Sequence, residues 1–548
     1  MPIDEHAPRR VLLRGGTVYS PADPFATAMV TEGSTIAWIG SEGAADGFAD
    51  AVDEMVDLRG ALVTPAFTDA HIHATATGLA LTGLNLADAR DLADALDRIT
   101  AYAAAHPGHR MLFGHGWDAT RWPENRPPSR AELDTAVGGR PLYLTRADMH
   151  SAVVSTALLR LVPTATAVEE LPGYHPDAPL TRDAHHVVRH AAHAALTPEQ
   201  RSDAQRATLR HAASLGIASL HECAGPDISG ENDLTGLLRL ADQEPGPRVV
   251  GYWAEAVTSA GDEVVERIRD LGAIGAAGDL FVDGSLGSHT ACLHQPYADA
   301  PHNGISYLTE AQIADHITAC TEAGLQAGFH AIGDAAISAV INGARATAER
   351  LGADRVRAER HRVEHAEMLT PATIAAFADL GLIASLQPAF DAAWGGDDGM
   401  YAHRLGRERA RTLNPYAALL KAGVPLALGS DSPVTPLDPW GTVRAAAFHR
   451  TPEHRISVRA AFTAHTRGGR RAARGDDAGV LVPGAPADYA VFSCGDLVVQ
   501  IPDERVVNWS TDPRSGTPGL PDLTPGNELP SCLRTVVGGR TVFDRMNE

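Results

Sequence analysis

Eight short apolar runs, separated by longer stretches of helical periodicity, constrain this chain more than any other feature. The runs are VTPAFTDAHIH (63–73), GIASLHE (216–222), PRVVGYW (247–253), GDLFVDG (278–284), LQAGFHA (325–331), HRVEHAE (361–367), LIASLQP (382–388) and VPLALGSDS (424–432). Intervening segments such as EAQIADHITACTEAG and PATIAAFADLG space their apolar residues along one helix face. Alternating strand and helix implies a parallel sheet, because parallel strands need crossovers of that length. Eight such units predict an α/β fold closed into a (β/α)8 TIM-like barrel. An open doubly wound sheet is the competing arrangement. No GxGxxG turn follows the first strand, which weighs against it.

At 548 residues the chain exceeds the ~250–300 that one core usually serves. The first sixty residues carry short strand-like runs (RVLLRGGTVYS, TAMVTEGSTIAWIG, MVDLRGALVTP) separated by Gly and polar turns, and the last seventy have the same texture. This predicts one small β-sandwich built from both termini, residues 1–63 and 478–548, flanking a barrel at 64–477. The gap after the first barrel strand is far longer than the others. It is expected to be a large insertion, about 80–210, over one barrel mouth. Within it, DAHHVVRHAAH puts His186, His190 and His193 on one helix face. That face is expected to be a rim in contact with solvent, since no carboxylate accompanies it.

The net charge is −22, with no basic face to track phosphates, so a nucleic-acid partner is not expected. No run is long and apolar enough to cross a bilayer, and the N-terminus shows no apolar leader, so no membrane role is expected. Five scattered cysteines without a CxxC pair fit reduced thiols and a cytoplasmic location.

In barrels of this kind, chemistry gathers at the C-terminal strand ends. Here those ends carry His71 and His73, His221 and Glu222, Asp283, His330, His365 and Asp431. His71 and His73, two apart on a strand, aim at one point. Imidazoles with a carboxylate suit Zn2+, or another borderline divalent ion such as Fe2+ or Mn2+. Such an ion lowers the pKa of a bound water toward ~7, making hydroxide available for attack. Asp431 is placed to take that water's proton and pass it to a leaving nitrogen. One of His330 and His365 is placed to polarise a carbonyl. These parts serve hydrolysis of an amide, a cyclic amide or an amidine.

TPAFTDAHIH resembles the strand-1 signature of the metal-dependent amidohydrolase superfamily, and GVLVPGAPADYAVF (479–492) its return into a β-sandwich. GHGWDATRWPENRPPSRAELD, PLYLTRADMHSAVVS, VDGSLGSHTACL, FHAIGDAA, RVEHAEML, LQPAF and LGSDSPVTPLDPW resemble the YtcJ-like, amidohydrolase-3 branch, which includes enzymes similar to N-substituted formamide deformylase. The resemblance covers nearly the whole chain. It implies a metal on His71, His73, His330, His365 and Asp431, with Trp117, His150, Asp283 and Gln387 shaping the substrate pocket.

The chain departs from the pattern twice. Ala66 stands where the family usually has Gly, which strains the backbone only if that position needs positive φ. Asp279 stands where relatives often carry a Lys able, once carboxylated, to bridge two metals. If 279–283 is extended strand, Asp279 lies ~13 Å below Asp283 and is too short to reach the strand end. One ion per chain is therefore expected.

The function expected is hydrolysis of a C–N bond in a small amide or N-substituted formamide. A deaminase releasing ammonia is the related alternative, and a degenerate barrel kept as a binding or scaffold protein is the alternative from another class. The expected partner is a small-molecule substrate, and apolar surface helices permit a homodimer.

Overall fold

The computed structural model describes residues 8–147, 151–500, 509–510 and 518–547. Its centre is formed by two parallel sheets. In the first, Phe67–Ile72 and Arg248–Trp253 flank Ile217–Ala224. In the second, Gly275–Ala276, Gln326–Ala331, Arg362–His365, Ile383–Leu386 and Leu426–Leu428 follow one another in chain order. The sheets meet at both edges, through parallel bridges at Gly251–Ala273 and Ile72–Ser432. Ile217–Ala224 and Phe67–Ile72 are buried at every residue, as strands covered on both faces must be.

Helices lie between these strands, with local signals that start and stop them. Glu310–Ala323 begins at Thr309, whose side chain accepts from the Gln312 N–H while Gln312 reaches back to the Thr309 N–H. It ends at Gly324, which takes the left-handed conformation at φ 71°.

The fourth apolar run behaves differently from its sequence-based reading. The regular strand is Gly275–Ala276, upstream of 278–284; the backbone bends at 278–279 and rejoins the sheet at Phe281, which bridges His330. Asp279 therefore lies in that bend and not on an extended run below Asp283. Ala66 has no positive φ, so the missing family glycine costs nothing there.

A further five-stranded sheet draws on both ends of the chain. Leu62–Pro65 pairs with Thr17–Val18 and, antiparallel, with Tyr489–Ser493; Ser531–Val537 and Arg540–Asp544 continue it. A second sheet, containing Arg10–Arg14, Ala28–Glu32, Thr35–Gly40 and Glu54–Asp57, shares a core with it through Leu13, Met29, Val63, Tyr489 and Val536. Phe67, on the first central strand, packs edge-on to Trp440, Phe462 and Phe492. These rings join the central sheets to the Tyr489–Ser493 strand. Between the first and second central strands, a four-stranded sheet (Leu84–Asn85, Leu112–Trp117, Leu142–Arg146, Ala152–Val154) has a core of its own. Among the described residues no helix is long and apolar enough to cross a membrane.

Candidate metal centre

His71 and His73 arrive at the end of the first central strand with their Nε2 atoms facing two carboxylates. His73 Nε2 is 3.2 Å from both Asp279 Oδ2 and Asp431 Oδ1. His71 Nε2 is 3.5 Å from Asp279 Oδ1 and 3.6 Å from Asp431 Oδ1. From the opposite strands, His330 Nδ1 and His365 Nε2 approach Asp279 Oδ1 at 3.4 and 3.7 Å. Asp279 thus belongs to two groups of ligand type, one with His71 and His73, the other with His330 and His365. A further group joins His71, His365 and Asp431.

These contacts are not hydrogen bonds. His71 Nε2, His330 Nδ1, Asp279 Oδ1 and Asp431 Oδ1 are buried without a hydrogen-bond partner among the described residues. Buried polar atoms are normally satisfied, so converging lone pairs of this kind call for a cation. The donor set, imidazole nitrogen and carboxylate oxygen, is one that a divalent ion accepts.

The outer nitrogens of three imidazoles are committed elsewhere. His71 Nδ1 lies 2.8 Å from Glu364 Oε2, His365 Nδ1 lies 2.8 Å from Gln387 Oε1, and His330 Nε2 lies 3.4 Å from the Gly284 carbonyl. Each outer N–H donates to an acceptor, which leaves the inner lone pair facing the centre. In this arrangement the inner nitrogens of His330 and His365 face Asp279.

The electrostatics follow from burial among imidazoles. Burial opposes ionisation of Asp279, but His71, His330 and His365 outweigh it and hold its carboxyl well below the usual range. Asp431 is lowered in the same way, burial being overcome chiefly by His73 and His71. Burial disfavours a charged His73, yet Asp279 and Asp431 raise it well above its ordinary value. Positive charge between the rings and the carboxylates is what this site favours.

The backbone is strained here. His365 and Asp431 sit at φ 69° and 52°, in the left-handed region that side chains other than glycine rarely adopt. A tight approach places them. A Cβ on Gly429 would lie 2.6 Å from the His71 nitrogen, so the turn leading to Asp431 closes on the first strand only with glycine there. Asp69 secures the same junction, accepting from the backbone N–H groups of His71 and Ser430, both at 3.1 Å.

The five residues named from the strand ends, His71, His73, His330, His365 and Asp431, come together. The other sequence candidates do not all join them. His221 is buried with Nδ1 3.3 Å from Arg362, and Glu222 accepts from the Ala74 N–H. Asp283 spends its carboxylate on three backbone N–H groups, those of Cys292, Ile332 and Gly333, and burial pushes it up to about 7. It anchors a loop. Trp117 lies in the core of the inserted sheet, its indole N–H donating to the Leu144 carbonyl. Gln387 touches His365. His150 lies outside the described residues. His186 and His190 are exposed on the helix Arg182–Ala194, and His193 packs on Phe113. No ligand-type group among the described residues contains them.

The sequence reading missed three residues and misjudged a fourth. Asp279 is within reach because the backbone turns at Gly278, φ 88°, instead of running extended through 279–283. Glu364, Arg362 and Asp69 were passed over. RVEH, two charges on one face of a short buried strand, was the available signal for the first two.

The model of the amidohydrolase family matches residues 54–543. A putative amidohydrolase, YtcJ, of Bacillus subtilis (strain 168) is 24% identical over 81% of this chain and 84% of its own. N-substituted formamide deformylase of Arthrobacter pascens is 23% identical over 85% and 90%. The crystal structure of an uncharacterized metal-dependent hydrolase from Pyrococcus furiosus superposes with a TM-score of 0.73 at 26% identity, covering 88% of this chain and 98% of that one. With a match over nearly its whole length and the strand-end histidines and carboxylates gathered at one point, the chain belongs to the amidohydrolase family.

Proposed function

We propose that the protein hydrolyses the C–N bond of a small amide or N-substituted formamide at a divalent metal centre, giving a carboxylic acid and an amine. The observation that carries this reading is the convergence of four imidazoles on two carboxylates, with unpartnered lone pairs inward. The metal-dependent hydrolase neighbour supports an ion, and the formamide deformylase relative supports the substrate class. The bridges at both edges of the central sheets support a closed eight-stranded barrel, and the two sheets sharing one core support a terminal sandwich.

A bound Zn2+ or similar ion supplies Lewis acidity and a water acidic enough to react near neutral pH. His71, His73, His330, His365, Asp279 and Asp431 would hold it. His71, His73 and Asp279 would hold one ion, and Asp279, His330 and His365 would hold a second. A carboxylated lysine is no alternative bridge, because Lys421 is the chain's only lysine and it ends the helix Tyr416–Lys421. Asp431 takes the proton of the attacking water and returns it to the departing nitrogen. The carbonyl carbon gains the water's oxygen as its bond to nitrogen breaks.

The test combines metal analysis with a substrate panel. Inductively coupled plasma mass spectrometry of wild type and Asp279→Asn should give two ions and fewer than two, respectively. One ion in both would remove the shared-carboxylate assignment. Formation of formate and a primary amine from N-substituted formamides supports the substrate class. Ammonia as the released product would make the protein a deaminase.

A further inference from the structure

The first metal-type histidine rests on a charge pair sealed inside the sheets. Glu364 and Arg362 are both fully buried, 0% exposed. They lie two apart on Arg362–His365, so they share one face of that strand. Glu364 Oε2 accepts from His71 Nδ1 at 2.8 Å and from Arg362 Nη2 at 3.0 Å, while Arg362 Nε donates to Oε1.

Arg362 reaches four other strands. Its Nη2 donates to the Ala70 carbonyl at 2.6 Å and to Ser385 Oγ at 3.0 Å. Its Nη1 lies 3.3 Å from His221 Nδ1, and its guanidinium sits 4.5 Å over the Tyr252 ring. The guanidinium therefore fixes Glu364 against the strand that carries His71, whose own residue Ala70 it also holds.

We propose that Glu364 and Arg362 are positioning residues, locking His71 in the tautomer that presents its Nε2 lone pair to the ion. The proposal rests on the metal reading above. Its physical basis is that a buried ion pair is a poor way to stabilise a fold. Apolar residues of similar volume often do as well or better, so the pair is retained for something other than stability. An ionised carboxylate accepts from Nδ1–H and cannot donate to Nδ1, which excludes the tautomer with its proton on Nε2. A neutral amide in the same place can present either its oxygen or its NH2, so the constraint disappears without a change in volume.

The experiment compares wild type, Glu364→Gln and the double variant Arg362→Met/Glu364→Leu. Three readouts are taken: ions per chain after loading with Zn2+, the Zn2+ affinity from competition with a chromogenic chelator, and the apo melting temperature. Glu364→Gln should bind Zn2+ about 10- to 100-fold more weakly, the range expected when the acceptor behind a ligating histidine is lost. The double variant, which also lacks the carboxylate, should bind Zn2+ as weakly. Wild-type affinity in Glu364→Gln would overturn the proposal, as would a lowered apo melting temperature in the double variant with its Zn2+ affinity intact. If wild type itself takes up no ion, the metal reading fails and this proposal falls with it. That result is distinct from the other two.

Discussion

The backbone N–H of Asp431 donates to the carbonyl of His71 at 2.8 Å, and His73 N–H donates to the Ser432 carbonyl at 3.0 Å. These two bonds tie the last central strand to the first. They also set the geometry of the site: the strand carrying both histidines and the turn carrying Asp431 are adjacent although 358 residues of chain separate them. His73 Nε2 and Asp431 Oδ1 face each other at 3.2 Å as a result.

Replacing Asp431 by Asn keeps the shape of the turn and removes the proton acceptor. The kcat of Asp431→Asn should fall by about 10²–10⁴-fold, the usual contribution of a positioned acid–base group. Steady-state kinetics on a turned-over formamide checks this. A variant retaining more than a tenth of wild-type kcat would remove Asp431 from the proton transfer.

Gly429→Ala tests the junction from the other side. The new methyl would lie 2.6 Å from the His71 nitrogen and 2.9 Å from Asp69 Oδ1. The first of these is backbone and cannot swing aside, so the first strand or the turn must shift. Overpacking of this kind costs about 1–3 kcal/mol. Misplacing His71 relative to Asp431 should lower activity by about 10²-fold. Urea unfolding and kinetics on the same preparation separate the two effects.

Phe67 is fully buried among Trp440, Phe462, Phe492 and His465, at ring-centroid distances of 5.0 to 6.0 Å. Phe67→Ala removes the shared member of that cluster. Unfolding of the apo protein in urea should show a loss of about 3–5 kcal/mol, the range for a buried phenylalanine. A loss below 1 kcal/mol would mean that the cluster collapses to fill the gap.

Two buried histidines weaken the folded apo protein in acid. His316 accepts from the Val257 N–H and donates to the Ala276 carbonyl; His361 accepts from the Ala327 N–H and pairs with Thr321. Burial pushes His316 down to about 4 and His361 to about 3, against ~6.5 unfolded. At these two sites the unfolded chain therefore binds more protons than the folded one, and their contribution to stability rises with pH across this window. It is fully present above about 6.5 and lost as the pH falls toward 4 and below. The change in urea midpoint from pH 7 to pH 5 should be less stabilising, or more destabilising, in wild type than in His361→Gln. An unchanged slope in that variant would rule out His361 as a source.

The sequence by itself determined the alternation of strand and helix, the strand ends that carry chemistry, and the convergence of His71 and His73, because these depend on local periodicity. A period of two puts both imidazoles on one face, and a buried apolar run ends where its polar residues begin. It also determined that a carboxylated lysine could come only from Lys421, the chain's single lysine. What only the tertiary structure decided was where each strand stops and what stands behind each ligand. The chain bends at 278–279, between Ala276 and the bridge at Phe281, so Asp279 reaches the site that an extended 279–283 would have denied it. Glu364 and Arg362 acquire meaning only when their strand is laid opposite Ala70 and His71, nearly 300 residues earlier. Pairing of that range is fixed by the packing of the whole sheet, which no local window of the sequence contains.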